Sequence, residues 1–90
     1  MSLKAQRWAW DQDLPPMDRL LLLAYADMCT GEGRCWPSTS FLARLLGVSD
    51  STLRASKKRL LTHGLIFDTG LHAGRCAVIQ LALEVACNES

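Results

Sequence analysis

The chain has no pair of cysteines in the C-x2-C spacing of zinc fingers and ribbons, although it carries Cys29, Cys35, Cys76 and Cys87. They read as small core residues that stay reduced, and even with His63 and His72 no metal site is expected. Long apolar runs are missing too. The longest, Leu20 to Ala26, falls far short of the ~20 residues of a membrane span. Met1 to Leu14 interleaves Lys4, Arg7, Asp11 and Asp13 with Trp8 and Trp10, so no secretion signal is read there and a cytoplasmic location is expected. There is no glycine-rich phosphate loop, no G-x-S-x-G elbow and no H-E-x-x-H, and the carboxylates are scattered singly. These absences argue against an enzyme, so no catalytic residue, cofactor or small-molecule substrate is expected.

Charge of one sign is also not in excess, the net being +1. Its distribution is uneven, however. Between Arg34 and Gly64 the basic residues Arg34, Arg44, Arg54, Lys57, Lys58 and Arg59 face Asp50 alone, a local +5, while the rest of the chain sums to −4. A basic segment on a near-neutral chain is a footprint for a polyanion, the alternative being a solvated helix face. Apolar residues at 49% and charged residues at 21% are ordinary for a globular domain. Ninety residues suffice for a single domain with one modest core. We expect residues 1–13 to form an N-terminal arm, 16–64 a helical core and 65–85 a β-hairpin.

Proline in the first turn and an early Asp18 open a helix over 16–28, with Met17, Leu20, Leu21, Ala24 and Met28 at three- and four-residue spacing. Residues 34–36 form a short extended segment before Pro37. Ser38 caps a helix over 39–46 whose Phe41, Leu42, Leu45 and Leu46 face inward. Gly47 stops it. Ser49 caps the next helix, over about 50–63, with Val48 and Leu53 as a hydrophobic staple and Gly64 as a left-handed C-cap. Residues 65–68 and 75–85 read as two strands joined by a turn over 69–74. Ala77, Ile79, Leu81, Leu83 and Val85 line the inner face of the second strand, with Gln80 and Glu84 opposite. Trp8 and Trp10 are expected to cover the helix over 16–28, the alternative being a dimer arm.

The helix over 39–46, the Gly47-Val-Ser turn and the helix over 50–63 have the spacing of a helix-turn-helix. On the outer face of the last helix, Ser51, Thr52, Arg54, Ala55 and Lys58 are polar or small. Such residues permit close approach to base edges, and Arg54 reaches guanine acceptors bidentately. Lys58 and Arg59 suit phosphates. Ser38, Thr39 and Ser40 stand where a helix start meets phosphate, with Arg44 and Ser49 completing the helical set, and His72 and Arg75 flank Gly74 where they can enter a minor groove, the alternative being solvated turn residues.

Trp8-Ala-Trp, Leu21-Leu-Leu-Ala-Tyr-Ala-Asp27, Cys35-Trp-Pro-Ser38, Leu42-Ala-Arg-Leu-Leu-Gly-Val-Ser49, Ser51-Thr-Leu-Arg54 and Gly64-Leu-Ile66 resemble the winged helix-turn-helix domains of plasmid and phage replication or regulatory proteins. The likeness covers about residues 8 to 82. It implies an α+β fold: a three-helix winged helix-turn-helix with a short strand between the first two helices and a C-terminal hairpin wing. It also implies double-stranded DNA as the partner, with the helix over 50–63 as recognition helix. Two positions depart from the pattern: Lys57 stands where an aliphatic residue is usual, and Leu61 where a polar one is. The expected function is sequence-specific binding of duplex DNA, as a homodimer or as paired copies on repeated half-sites. The alternatives are a protein-interaction module and the DNA-binding part of a larger replication initiator.

Overall fold

The computed structural model describes residues 3–83. Glu84, Val85 and Cys87 lie outside the described residues. The segment expected as an arm is a helix, α1 (Leu3–Trp10). Ala5, Trp8 and Ala9 recur at three- and four-residue spacing and are buried, and this stripe lays α1 against the next helix, α2 (Pro16–Met28). The described residues therefore hold one helix more than the sequence reading had. Its two tryptophans part company. Trp8 is 5% exposed in the core, whereas Trp10, two residues on and off that stripe, is 58% exposed.

Pro16 starts α2, and its Leu21, Leu22, Ala24, Tyr25 and Ala26 are buried on more than one side. β1 (Arg34–Cys35) follows. Next come α3 (Thr39–Leu46) and α4 (Asp50–Thr62), with the boundaries that capping chemistry implied. The Ser38 hydroxyl accepts from the Phe41 N–H at 3.1 Å, and the Ser49 hydroxyl from the Thr52 N–H at 3.1 Å. Gly47 ends α3 at φ 74°, and the Val48 N–H reaches back to the Ala43 carbonyl at 2.9 Å. One expectation fails on α3. Leu42 and Ala43 are buried, but Phe41 and Leu45 are 45% and 57% exposed. A helix of two turns packed along a single line turns only that line inward, and Phe41 and Leu45, four residues apart, share the opposite side.

The strand β2 (Ile66–Ala73) runs further than expected and returns as β3 (Cys76–Leu81). The turn is the two-residue Gly74-Arg75. Gly74 has φ +64° and no non-glycine residue among those described has positive φ, which suits a hairpin turn needing glycine at its first central position. Gly70 sits instead in an irregularity. Asp68 pairs with Ile79 but His72 with Ala77, so β2 carries two residues more than β3 across that interval. The local N–H groups are taken up by side chains: Gly70 donates to Asp68 Oδ1 at 3.0 Å and Leu71 to Thr69 Oγ1 at 3.1 Å. β3 lies between β1 and β2, antiparallel to both. Its Ile79 and Leu81, with Leu83 beyond, are buried as the alternation implied; Val78 is buried as well, while Ala77 is half-buried.

The core joins α1, α2, one line each of α3 and α4, and the inner sheet face. Cys29 and Cys35 belong to it, and burial pushes the Cys35 thiol up to about 12 and raises that of Cys29. Cys76 is half-buried. Among the described residues no group of three or more His, Cys, Asp or Glu stands together as a metal site, and no helix is long and apolar enough to cross a membrane.

Gly33 shows what the β1 approach demands. It has φ +82°, and a Cβ there would stand 2.9 Å from Leu83 Cδ1 and 3.0 Å from Gln80 Nε2. Gly47, at φ +74°, would meet open space. Left-handed backbone costs a non-glycine residue about 1–3 kcal/mol. Gly33→Ala should therefore lower the melting temperature more than Gly47→Ala, each by at least about 4 °C. Equal losses in thermal denaturation would mean that Leu83 and Gln80 yield freely.

Candidate nucleic-acid interface

The α3–turn–α4 unit is fixed from inside. Leu53, Ser56 and Leu60 form the buried line of α4, and α4 packs on both α2 and α3. The helix ends are closed as well. Gly64, at φ +74°, lets the Leu65 N–H reach the Leu60 carbonyl at 3.1 Å. Lys57 is half-buried beside this line, as its aliphatic stem permits, and its charge acts on Cys35. Leu61 is exposed.

Opposite the buried line, Ser51, Thr52, Arg54, Ala55 and Lys58 are all exposed. Ser51, Arg54, Ala55 and Lys58 follow one another at three, one and three residues, so they make one continuous outer stripe. Arg54 and Lys58 have no ion pair or side-chain hydrogen bond among the described residues; the Lys58 carbonyl accepts from Thr62 at 2.9 Å. Ser38, Ser40 and Arg44 are exposed along α3 and its cap, and Thr39 is half-buried. Ser49 is exposed, but its hydroxyl is engaged in the cap and also donates to Thr52 Oγ1 at 2.9 Å. His72 and Arg75 are exposed at the hairpin's far end, beside the Gly74-Arg75 turn. The contact between α4 and β2 joins the hairpin to the helices, and the hairpin tip is a separate candidate surface from the α4 stripe.

Arg59 has a partner within the fold. It is not a free solvated cation. Its Nε donates to both Asp18 oxygens, at 3.1 and 2.9 Å, and its Nη2 to Oδ1 at 2.8 Å. The Ser56 hydroxyl donates to the same Oδ1 at 2.6 Å. Asp18 is fully buried, whereas 48% of the Arg59 side chain stays exposed. The hydrogen bonds from Arg59 hold the Asp18 carboxyl below the usual carboxylate range against the opposing effect of burial, with Ser56 and the charges of Arg59 and His63 adding to the lowering. The local charge excess is reduced by the same pair.

This cluster joins the first turn of α2 to the middle of α4, and the sequence reading gave Asp18 only a role at the helix end. A signal was present. Ser56 falls on the line of Leu53 and Leu60, and a polar residue on a buried line requires a partner.

The family model described as a helix-turn-helix domain matches residues 12–66, a span that takes in α2, β1, α3, α4 and the start of β2. Protein YmfN of Escherichia coli (strain K12) is 30% identical over 89 residues, covering 89% of this chain and 20% of YmfN. The chain thus spans about a fifth of that relative's length. No solved structure matches. With α3, a tight glycine turn and α4 in place within the matched span, the chain belongs to the helix-turn-helix domain family.

Proposed function

We propose that this domain binds duplex DNA sequence-specifically, with α4 in the major groove and the β2–β3 hairpin as a wing over the neighbouring groove. The observation that carries the reading is the outer stripe of α4. It sets small residues, Ser51 and Ala55, beside two exposed cations, Arg54 and Lys58, on a helix held from behind by its buried line. Small residues allow the helix to descend to the base edges, Arg54 supplies a bidentate donor, and Lys58 a phosphate contact. The helix-turn-helix family match supports DNA as the partner. A regulatory or replication role on a mobile element, with two copies on repeated half-sites, is the wider form of the proposal. Since the chain spans a fifth of YmfN, a DNA-binding part of a larger protein fits the same reading.

The test is fluorescence anisotropy of random and selected duplexes over a salt series. Four to six phosphate contacts give a slope of about −4 to −5 in log K against log salt. Lys58→Ala should weaken all duplexes by a similar factor and make the slope shallower by about 0.9. No binding below about 10⁻⁴ M at low salt would reject the proposal. It would favour a protein-docking role, for which the exposed Trp36, Phe41 and Leu45 are the specific observation.

A further inference from the structure

We infer that Asp18 is a positioning residue for DNA: it holds the Arg59 guanidinium at the flank of α4 so that the donors left over grip one phosphate of the duplex. The inference rests on the DNA reading above and goes beyond it in assigning a buried acid to the interface.

The guanidinium is planar and carries five N–H donors in a rigid fork. Asp18 takes the Nε–H and one N–H of Nη2. Both donors on Nη1 and the second on Nη2 remain. Because the engaged edge faces a fully buried carboxylate, the remaining edge must point away from the core. The half-exposed Arg59 side chain agrees with that orientation. Arg59 is also placed for it along the helix. It follows Lys58 and lies four residues beyond Ala55, hence on the edge of the outer stripe.

The carboxylate is itself fixed, by the Ser56 hydroxyl on one side and by its place in the first turn of α2. A side chain that normally samples many rotamers is thereby set in one before any ligand arrives, and less freedom is lost on binding. The sign of the effect separates this from simple charge. An acid near DNA repels phosphate, so its removal should strengthen binding by Coulomb's law alone. Orientation predicts the reverse.

The experiment measures the salt slope for a fluorescein-labelled random duplex with wild-type, Arg59→Ala, Arg59→Lys, Asp18→Asn and the Asp18→Asn/Arg59→Ala double variant, all checked for folding by circular dichroism at the assay temperature. Arg59→Ala should be shallower by about 0.9, one phosphate's worth. Asp18→Asn should be shallower by the same amount without tightening, and the double variant no shallower than either. Arg59→Lys should also lose the contact although it keeps the charge, since an ammonium drawn to Asp18 has no second edge to present. If Asp18→Asn does not fold, the lysine variant decides alone. An unchanged slope for Arg59→Ala, a retained slope for Arg59→Lys, or tighter binding by Asp18→Asn overturns the inference while the DNA reading stands. Wild-type protein that binds no duplex overturns both.

Discussion

Asp18→Ala should lower the melting temperature by about 10 °C or more. The substitution leaves the Ser56 hydroxyl, now bonded at 2.6 Å inside the core, without a partner, and a stranded buried polar group costs about 1–3 kcal/mol. In a domain of this size each 1 kcal/mol moves the midpoint by about 4–8 °C. Arg59 adds less to the loss, because about half of its side chain already touches water and rehydrates readily. The pH dependence has a definite sign. The Asp18 carboxyl lies below its ordinary value when folded, so the unfolded chain takes up the proton first. Its contribution is complete above about pH 4 and is lost as pH falls through the folded value. Thermal melts of wild type should therefore decline on acidification over that window, and those of Asp18→Ala should decline less. A melting temperature within 2–3 °C of wild type, on the order of 0.5 kcal/mol, would mean that the cluster does not hold α2 to α4.

Arg54→Ala should remove sequence preference at one base pair without disturbing the fold. Arg54 is exposed on the outer stripe of α4 and bonded to nothing among the described residues, so its loss should change stability by no more than about 0.5 kcal/mol. A bidentate contact to guanine discriminates by about 1–3 kcal/mol, a factor of roughly 5 to 150 at one position. Binding-site selection with the variant should give the wild-type motif with that one column flattened. Lys58→Ala should leave every column as it was. An unchanged motif for Arg54→Ala would remove Arg54 from the readout.

What the sequence made legible was local. Ser38, Gly47 and Ser49 act within four residues of themselves, and α3 begins and ends, and α4 begins, where those residues imply. The outer stripe of α4 follows from the same periodicity. Longer-range choices were harder to read. Asp18 and Arg59 are 41 residues apart, and nothing in either's neighbourhood names the other. A single turn was expected over residues 69–74, but residues 69–73 extend β2 and the chain reverses at Gly74-Arg75. At the N-terminus, charges on either side of two tryptophans hid an eight-residue helix, too short to persist alone and stabilised by what it covers. Phe41 and Leu45 were misread for a related reason. Hydrophobicity suggests burial, but a short helix on a small core has more apolar residues than inward-facing positions.

The two additional residues in β2 also bear on how the protein tolerates crowding. β2 is one of the two outer strands of the sheet, and a flat outer strand with open N–H groups invites a neighbour's strand to add to it. Here Asp68 and Thr69 have already claimed the N–H groups of Gly70 and Leu71, and the distortion breaks the straight run on which a second strand would need to lie. The β2 edge is therefore a poor template for strand addition by a second copy.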